Sequence, residues 1–208
     1  MSKPTKPQLL IFIGTIAYII AFAIYYIAKQ NYEFMLYIAV MIVLLIIMTI
    51  LHKKFNFPTG VLLGVSIWGL LHMAGGSLQV KGNRLYSLVL ISITETSGTP
   101  LIRFDQFIHF YLYIFLTIIA FYLLKPHLKE EFNTLTISII LIFAGMGIGA
   151  LNEIIEFGAV LTFPETGVGD YFNTAWDIVF NTLGAIVGVL YLNLSGKLSN
   201  AKQQIQRL

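Results

Sequence analysis

Residues 9–28 read Leu9-Leu-Ile-Phe-Ile-Gly-Thr-Ile-Ala-Tyr-Ile-Ile-Ala-Phe-Ala-Ile-Tyr-Tyr-Ile-Ala28, without one ionised side chain. A helix rises ~1.5 Å per residue, so about 20 apolar residues cross the ~30 Å hydrocarbon core of a bilayer. The run follows Met1-Ser-Lys-Pro-Thr-Lys6, is too long for a signal-peptide core and is not followed by a small-x-small cleavage pattern. It is therefore expected to stay as a helix. Working outward, five more runs of this kind occur at 34–51, 59–80, 104–124, 135–157 and 171–194. The expected fold is all-α: a bundle of six transmembrane helices forming a single integral membrane domain over 1–208.

Composition agrees. Of 208 residues, 57% are apolar and 11% charged, against about 25% charged in a soluble domain. The net charge of +3 is spread over termini and loops, which gives no basic stripe and argues against a nucleic-acid partner. There is no cysteine, which excludes disulfides, thiolate metal sites and cysteine nucleophiles. With six spans, both termini share a side with the second–third and fourth–fifth connections. That side carries nine of the thirteen Lys+Arg, among them Lys53, Lys54 and Lys197, against Lys29, Lys81, Arg84 and Arg103 on the other. The positive-inside rule then puts both termini in the cytoplasm.

The third–fourth connection, Lys81–Arg103, contains the apolar segment Leu85-Tyr-Ser-Leu-Val-Leu-Ile-Ser-Ile93, too short to cross as a helix. It is expected either to lie on the bilayer surface or to fold over the bundle as a lid.

Ionisable side chains cost on the order of 2.5–3.5 kcal/mol each at the centre of a membrane helix, so they face the bundle interior or a wet cavity. Here they gather at one depth. His72 stands near the outer end of the third span, and Asp105 and His109 near the outer start of the fourth. Asn152, Glu153 and Glu156 lie near the outer end of the fifth, and Asp177 and Asn181 in the outer part of the sixth, with Asp170 just before it. Three- and four-residue spacings put Asp105 with His109, Glu153 with Glu156 and Asp177 with Asn181 on shared faces. Glycines at 145, 149, 184 and 188, and at 60 and 64, continue such faces and allow close helix approach.

Five neighbouring carboxylates, Asp105, Glu153, Glu156, Asp170 and Asp177, cannot all be ionised unless a cation joins them. Three readings of this centre stand side by side: a divalent metal site, a proton- or cation-coupled transport site, and a structural hydrogen-bond network. In the metal reading His72, Asp105, His109, Glu153 and Asp177 are ligands of zinc, manganese, iron or magnesium. Glu156 is then the general base for water, Asn181 orients by hydrogen bonding and Arg103 holds a phosphate.

Other polar residues have plainer readings. His52 and His127 sit beside lysines at span ends, and Trp68 and Trp176 belong to packing or the interfacial belt. Ser66 suits a helix back-bond. Gly75-Gly76 is expected to end or bend the third span, Asp170 serves a turn or the centre, and Glu33, Glu95, Glu130, Glu131 and Glu165 are loop charges. Sequence motifs of rhomboid and zinc proteases, CDP-alcohol phosphotransferases, lipid phosphatases, Walker loops and dinucleotide folds are missing from the chain.

Arg103-Phe-Asp-Gln-Phe-Ile-His109, Glu153-Ile-Ile-Glu156, Gly169-Asp170 and Thr174-Ala-Trp-Asp177-Ile-Val-Phe-Asn181-Thr-Leu-Gly184 resemble the bacterial inner-membrane family typified by YjdF. The Asp-x-x-x-Asn-x-x-Gly segment is similar also to the broader VanZ-like group, associated with teicoplanin resistance and cell-envelope phenotypes. That group often has Glu-x-x-Gln where this chain has Glu153-x-x-Glu156, which places it nearer the YjdF type. The resemblance, covering roughly His72 to Gly188, implies a multi-pass protein of the bacterial inner membrane. The leading expectation is a metal-dependent hydrolase or transferase acting on a membrane lipid or lipid-linked envelope substrate. A small coupled transporter and a non-catalytic envelope scaffold are the alternatives, and glycine faces left free could join copies into a homo-oligomer.

Overall fold

Four of the six long helices start where a polar side chain caps them. Thr5 and Gln8 form a reciprocal capping box at the start of α1 (Lys6–Ala28), and Asn31 accepts from the Phe34 N–H at the start of α2 (Tyr32–Phe55). Such caps satisfy amide groups that have no partner within the helix. Asn133 accepts from the N–H groups of Leu135 and Thr136 to open α5 (Thr134–Thr162), and Asp170 accepts from that of Asn173 to open α6 (Tyr171–Leu194). With α3 (Thr59–Ser77) and α4 (Phe104–Leu124) these complete six helices long and apolar enough to cross a membrane. The computed structural model describes residues 4–92, 102–128, 132–163, 166 and 168–205, side chains of 202–205 excepted. The expected loop positions of Glu95, Glu130, Glu131 and Glu165 lie outside the described residues.

The six-span expectation holds, with three main changes of length, the second helix running over Tyr32–Phe55 against the 34–51 expected. The third helix stops at Ser77 instead of reaching Val80. Beyond it β1 (Gln79–Val80) pairs antiparallel with β2 (Asn83–Arg84), turning through Lys81 and Gly82. Both turn residues have positive φ, 52° and 82°, as a tight two-residue hairpin requires. The fifth helix runs to Thr162, longer than the 135–157 expected. A short helix not anticipated from the sequence, α7 (Lys197–Ile205), follows the sixth span and buries Leu198 and Ala201.

Helix α4 lies centrally, touching α3, α5 and α6. Lipid tails are as apolar as leucine, so membrane helices associate through close packing instead of burial from water. Glycine supplies the closeness. A Cβ at Gly184 would strike the Phe110 carbonyl, and one at Gly188 the Ile114 carbonyl, so α6 rests on the α4 backbone. Gly145 faces Ala185 and Thr117, and Gly149 faces Asn181. Gly64 receives the Phe115 ring, whereas Gly60 has open space around it.

Gly75 and Gly76 are helical, and the third span ends right after them at Ser77, as expected for the pair. They also make room, Gly75 for the Tyr86 ring and Gly76 for the Phe34 ring. Ser66 pairs with Thr15 at 2.6 Å, tying α3 to α1. Phe57, Phe121, Leu141 and Leu192 fill the half of the bundle away from the 79–103 connection.

In that connection a 3-10 turn, Leu85–Ser87, packs on α3 and α4. It leads into β3 (Val89–Ile91), which pairs antiparallel with β4 (Ile102–Arg103) through an irregular register. Tyr86 points inward, while Val89, Leu90 and Ile91 expose apolar side chains. The segment thus both covers the bundle end and presents an apolar outer surface.

Candidate metal centre

The centre is built where α4 and α6 begin and where α5 passes them. On α4, Gln106 lies between Asp105 and His109 in sequence, and its side-chain carbonyl accepts from the Arg103 N–H at 2.9 Å. That bond fixes the first turn and directs the Gln106 amide group across to α6. There it donates to Asp177 Oδ1 at 2.8 Å and to Asn173 Oδ1 at 3.2 Å. Asn173 in turn donates to Asp177 Oδ2 at 2.7 Å and Asp105 Oδ2 at 3.1 Å. Asp177 is fully buried, yet both of its oxygens accept. Buried carboxylates persist only with such partners.

His109 occupies the middle of the remaining acids. Its Nδ1 is 3.0 Å from Asn181 Oδ1; an amide oxygen there calls for a proton on Nδ1, which leaves the Nε2 lone pair free. Nε2 looks at Asp105 Oδ1, 3.7 Å away, and Glu156 Oε1, 4.0 Å away, while Glu153 Oε1 is 3.8 Å from Nδ1. Asn152 donates to Glu156 Oε1 at 2.9 Å. Both Glu153 oxygens and the Asn181 Nδ2 are buried without a hydrogen-bond partner among the described residues.

Two groups of three have ligand atoms within 4.8 Å of one another: Asp105, His109 and Asp177, and His109, Glu153 and Glu156. Separations of 3.7–4.0 Å are too long for hydrogen bonds. Those from Nε2 to Asp105 and Glu156 match two ligands sharing one ion, since bonds of ~2.1 Å allow up to about 4.2 Å between ligand atoms, whereas the 3.8 Å from Glu153 runs to the Nδ1 that faces Asn181. The unpartnered Glu153 oxygens single out the second group, because Asp177 is already satisfied by Gln106 and Asn173. One imidazole among carboxylates favours manganese, iron or magnesium over the two-histidine sets common for zinc.

Of the residues singled out in the sequence, Asp105, His109, Glu153, Glu156, Asp177 and Asn181 come together. His72 belongs to neither ligand group. It stacks on Trp68 with ring centroids 5.2 Å apart, and Tyr86 bonds to both its Nδ1 and its carbonyl oxygen. Burial, then the Asp105 and Glu156 carboxylates, hold the Tyr86 hydroxyl well above the ordinary tyrosine range, so it stays a donor. Asp170 is the cap of α6 and reaches the centre only through Asn173. Arg103 is the residue preceding α4, and its side chain forms no ion pair with a described carboxylate.

Glu33 was expected in a loop; it lies instead in the first turn of α2, buried, and pairs with Arg84 at 3.1 Å. A narrow cavity joins this pair to Tyr37, His72, Asp105 and Glu156. Sequence reasoning missed Gln106, Asn173, Arg84 and Tyr86. The first two carry a usable signal, standing three and four residues from His109 and Asp177 on the same helix faces.

A bundle of membrane-crossing helices, with one buried imidazole set among carboxylates and amides at one end, defines the class: a polytopic membrane protein with a polar intramembrane centre. The chain belongs to the family described as "Predicted membrane protein (DUF2238)", which matches residues 9–197. No curated protein and no solved structure matches it.

Proposed function

We propose that the His109 centre binds a divalent cation and that the protein is a membrane hydrolase or group transferase acting on a lipid or lipid-linked envelope substrate. The observation that carries this is the His109–Glu153–Glu156 group, whose ligand atoms lie within 4.8 Å of one another, with both Glu153 oxygens buried and without a hydrogen-bond partner among the described residues. An ion held there would polarise a phosphoryl or carbonyl oxygen of the substrate. Glu156 lines the cavity, gives one carboxylate oxygen to the ion and with the other takes the proton from an attacking hydroxyl or water. Asn181 holds the imidazole, while Gln106 and Asn173 hold Asp177 and Asp105. The residues packed in the far half of the bundle, Phe57, Phe121 and Leu141 among them, favour a one-sided site over a transport path, which needs access from both sides.

By the distribution of lysine and arginine the site faces away from the cytoplasm of a bacterial inner membrane. The similarity of Asp177-x-x-x-Asn181-x-x-Gly184 to VanZ-like proteins supports an envelope substrate. The test is turnover of a panel of phospholipids and lipid-linked sugars by reconstituted protein with Mn2+. Product that disappears with chelator and with E156Q supports the reading. Transmembrane flux of an intact substrate without product would replace it with transport.

A further inference from the structure

Resting on the metal reading above, the structure points to a second binding element. We infer that Arg84, held by the buried Glu33, takes the phosphate of an anionic headgroup at the mouth of the His109 centre.

Three observations place Arg84 in this role. Its Nη1 donates to Glu33 Oε2 at 3.1 Å, and its guanidinium lies over the Phe34 ring, 5.6 Å from the centroid. The acid is buried and the arginine more than a third exposed, with side-chain exposures of 5% and 37%. A guanidinium has five N–H donors in a rigid fork, so a carboxylate on one side orients the fork and leaves the other donors for a ligand. Arg84 also lines the same cavity as Asp105 and Glu156, so a group on Arg84 is within reach of the ion's carboxylates.

Donor chemistry decides the ligand class. The guanidinium donors not given to Glu33 face the cavity that Asp105 and Glu156 line, and a phosphate oxyanion accepts from such a fork while binding a metal ion as well. Without the cation the same carboxylates repel it, so phosphate binding depends on the metal. The flanking apolar residues Val89, Leu90 and Ile91 are exposed next to this mouth in sequence, which suits a headgroup still attached to its chains.

The test uses the full-length protein in detergent with saturating Mn2+, and its metal content is measured on the same samples. Probes are inorganic phosphate by equilibrium dialysis and phosphatidylglycerol by native mass spectrometry, with diacylglycerol as the control lacking phosphate. Arg84→Gln alone takes a cation from beside a buried acid, so the decisive pair is Glu33→Gln and the double variant Glu33→Gln/Arg84→Gln, which leaves two neutral amides. Glu33→Gln, which removes the carboxylate that orients the fork, weakens binding, and the double variant, which also removes the guanidinium, loses at least about tenfold and more than Glu33→Gln does, with metal content unchanged in both. Binding of both probes, or of either alone, supports the phosphate site and tells free phosphate from lipid. Equal affinity in the double variant, no binding of either probe to metal-loaded protein, or loss of binding on Arg103→Gln instead overturns the assignment. Absence of metal from the wild-type protein overturns the underlying reading separately.

Discussion

His109 on α4 meets Asn181 on α6 through a 3.0 Å contact between Nδ1 and the amide oxygen, and this single contact aims Nε2 at Asp105 and Glu156. Outer partners of this kind fix the tautomer and orientation of a ligating histidine, and their loss commonly costs about 10–100-fold in metal affinity. Asn181→Ala is expected to weaken Mn2+ binding by that order while leaving the bundle folded. Titration followed by electron paramagnetic resonance measures it, and an unchanged affinity removes Asn181 from this role.

The two acids on either side of His109 are expected to behave differently. Glu153 has buried oxygens without a hydrogen-bond partner among the described residues, whereas Asp177 is held by Gln106 and Asn173. Glu153→Gln should therefore abolish metal binding with little loss of stability. Asp177→Ala strands two buried amide donors and should lower stability by roughly 2–4 kcal/mol, seen as a lower melting temperature of the detergent-solubilised protein. The reverse pattern would move the ion to the Asp105–His109–Asp177 group.

Proton competition gives the pH dependence its sign. The carboxylates bind a cation only when ionised, and the imidazole only through a free lone pair, so protons and metal exclude one another. Metal affinity is expected to rise with pH between about 5.5 and 7.5. Tyr86, held protonated above its ordinary range, adds nothing to that profile. A flat profile in Mn2+ titrations at several pH values contradicts ligation by the His109 imidazole.

Glycine contacts divide into two kinds that substitution separates. At Gly184 an added methyl meets the Phe110 carbonyl, and backbone cannot step aside cheaply. Gly184→Ala is expected to cost about 1–3 kcal/mol by overpacking. Gly147 on α5 has nothing within 4 Å of its added Cβ, so Gly147→Ala should be neutral or stabilising by up to ~1 kcal/mol. Thermal unfolding of the two variants in one detergent compares them directly.

Both the spans and the polar depth could be read in the chain because each rests on a local rule: apolar length for the first, helical spacing for the second. His109, Glu153, Glu156, Asp177 and Asn181 fall together for that reason. Arg84 could not be found this way. Its partner Glu33 is 51 residues distant, and nothing local separates a buried acid at a helix start from a solvated one. His72 shares the depth of the others but not their ligand groups, since Tyr86 folds back from a turn that periodicity does not reveal. The Gly75-Gly76 pair reads as a stop because glycine weakens a helix, and α3 does end one residue beyond it; the room the pair makes for the Tyr86 and Phe34 rings is not legible.

Topology has its own test. The chain contains no cysteine, so single cysteines can be introduced without background. A cysteine at Lys6 should be shielded in intact cells from a membrane-impermeant thiol reagent, and one at Lys81 should be labelled. Labelling of Lys6→Cys alone would place the site on the cytoplasmic side.

The most direct measurement is the divalent metal content of wild-type protein and His109→Ala, purified without chelator and analysed by inductively coupled plasma mass spectrometry. One ion per chain in the wild type, lost in His109→Ala while the variant still elutes as a folded species, is the predicted result. A metal-free wild type that also fails to take up Mn2+, Fe2+, Zn2+ or Mg2+ would contradict the account and leave the centre as a hydrogen-bonded network joining α4, α5 and α6.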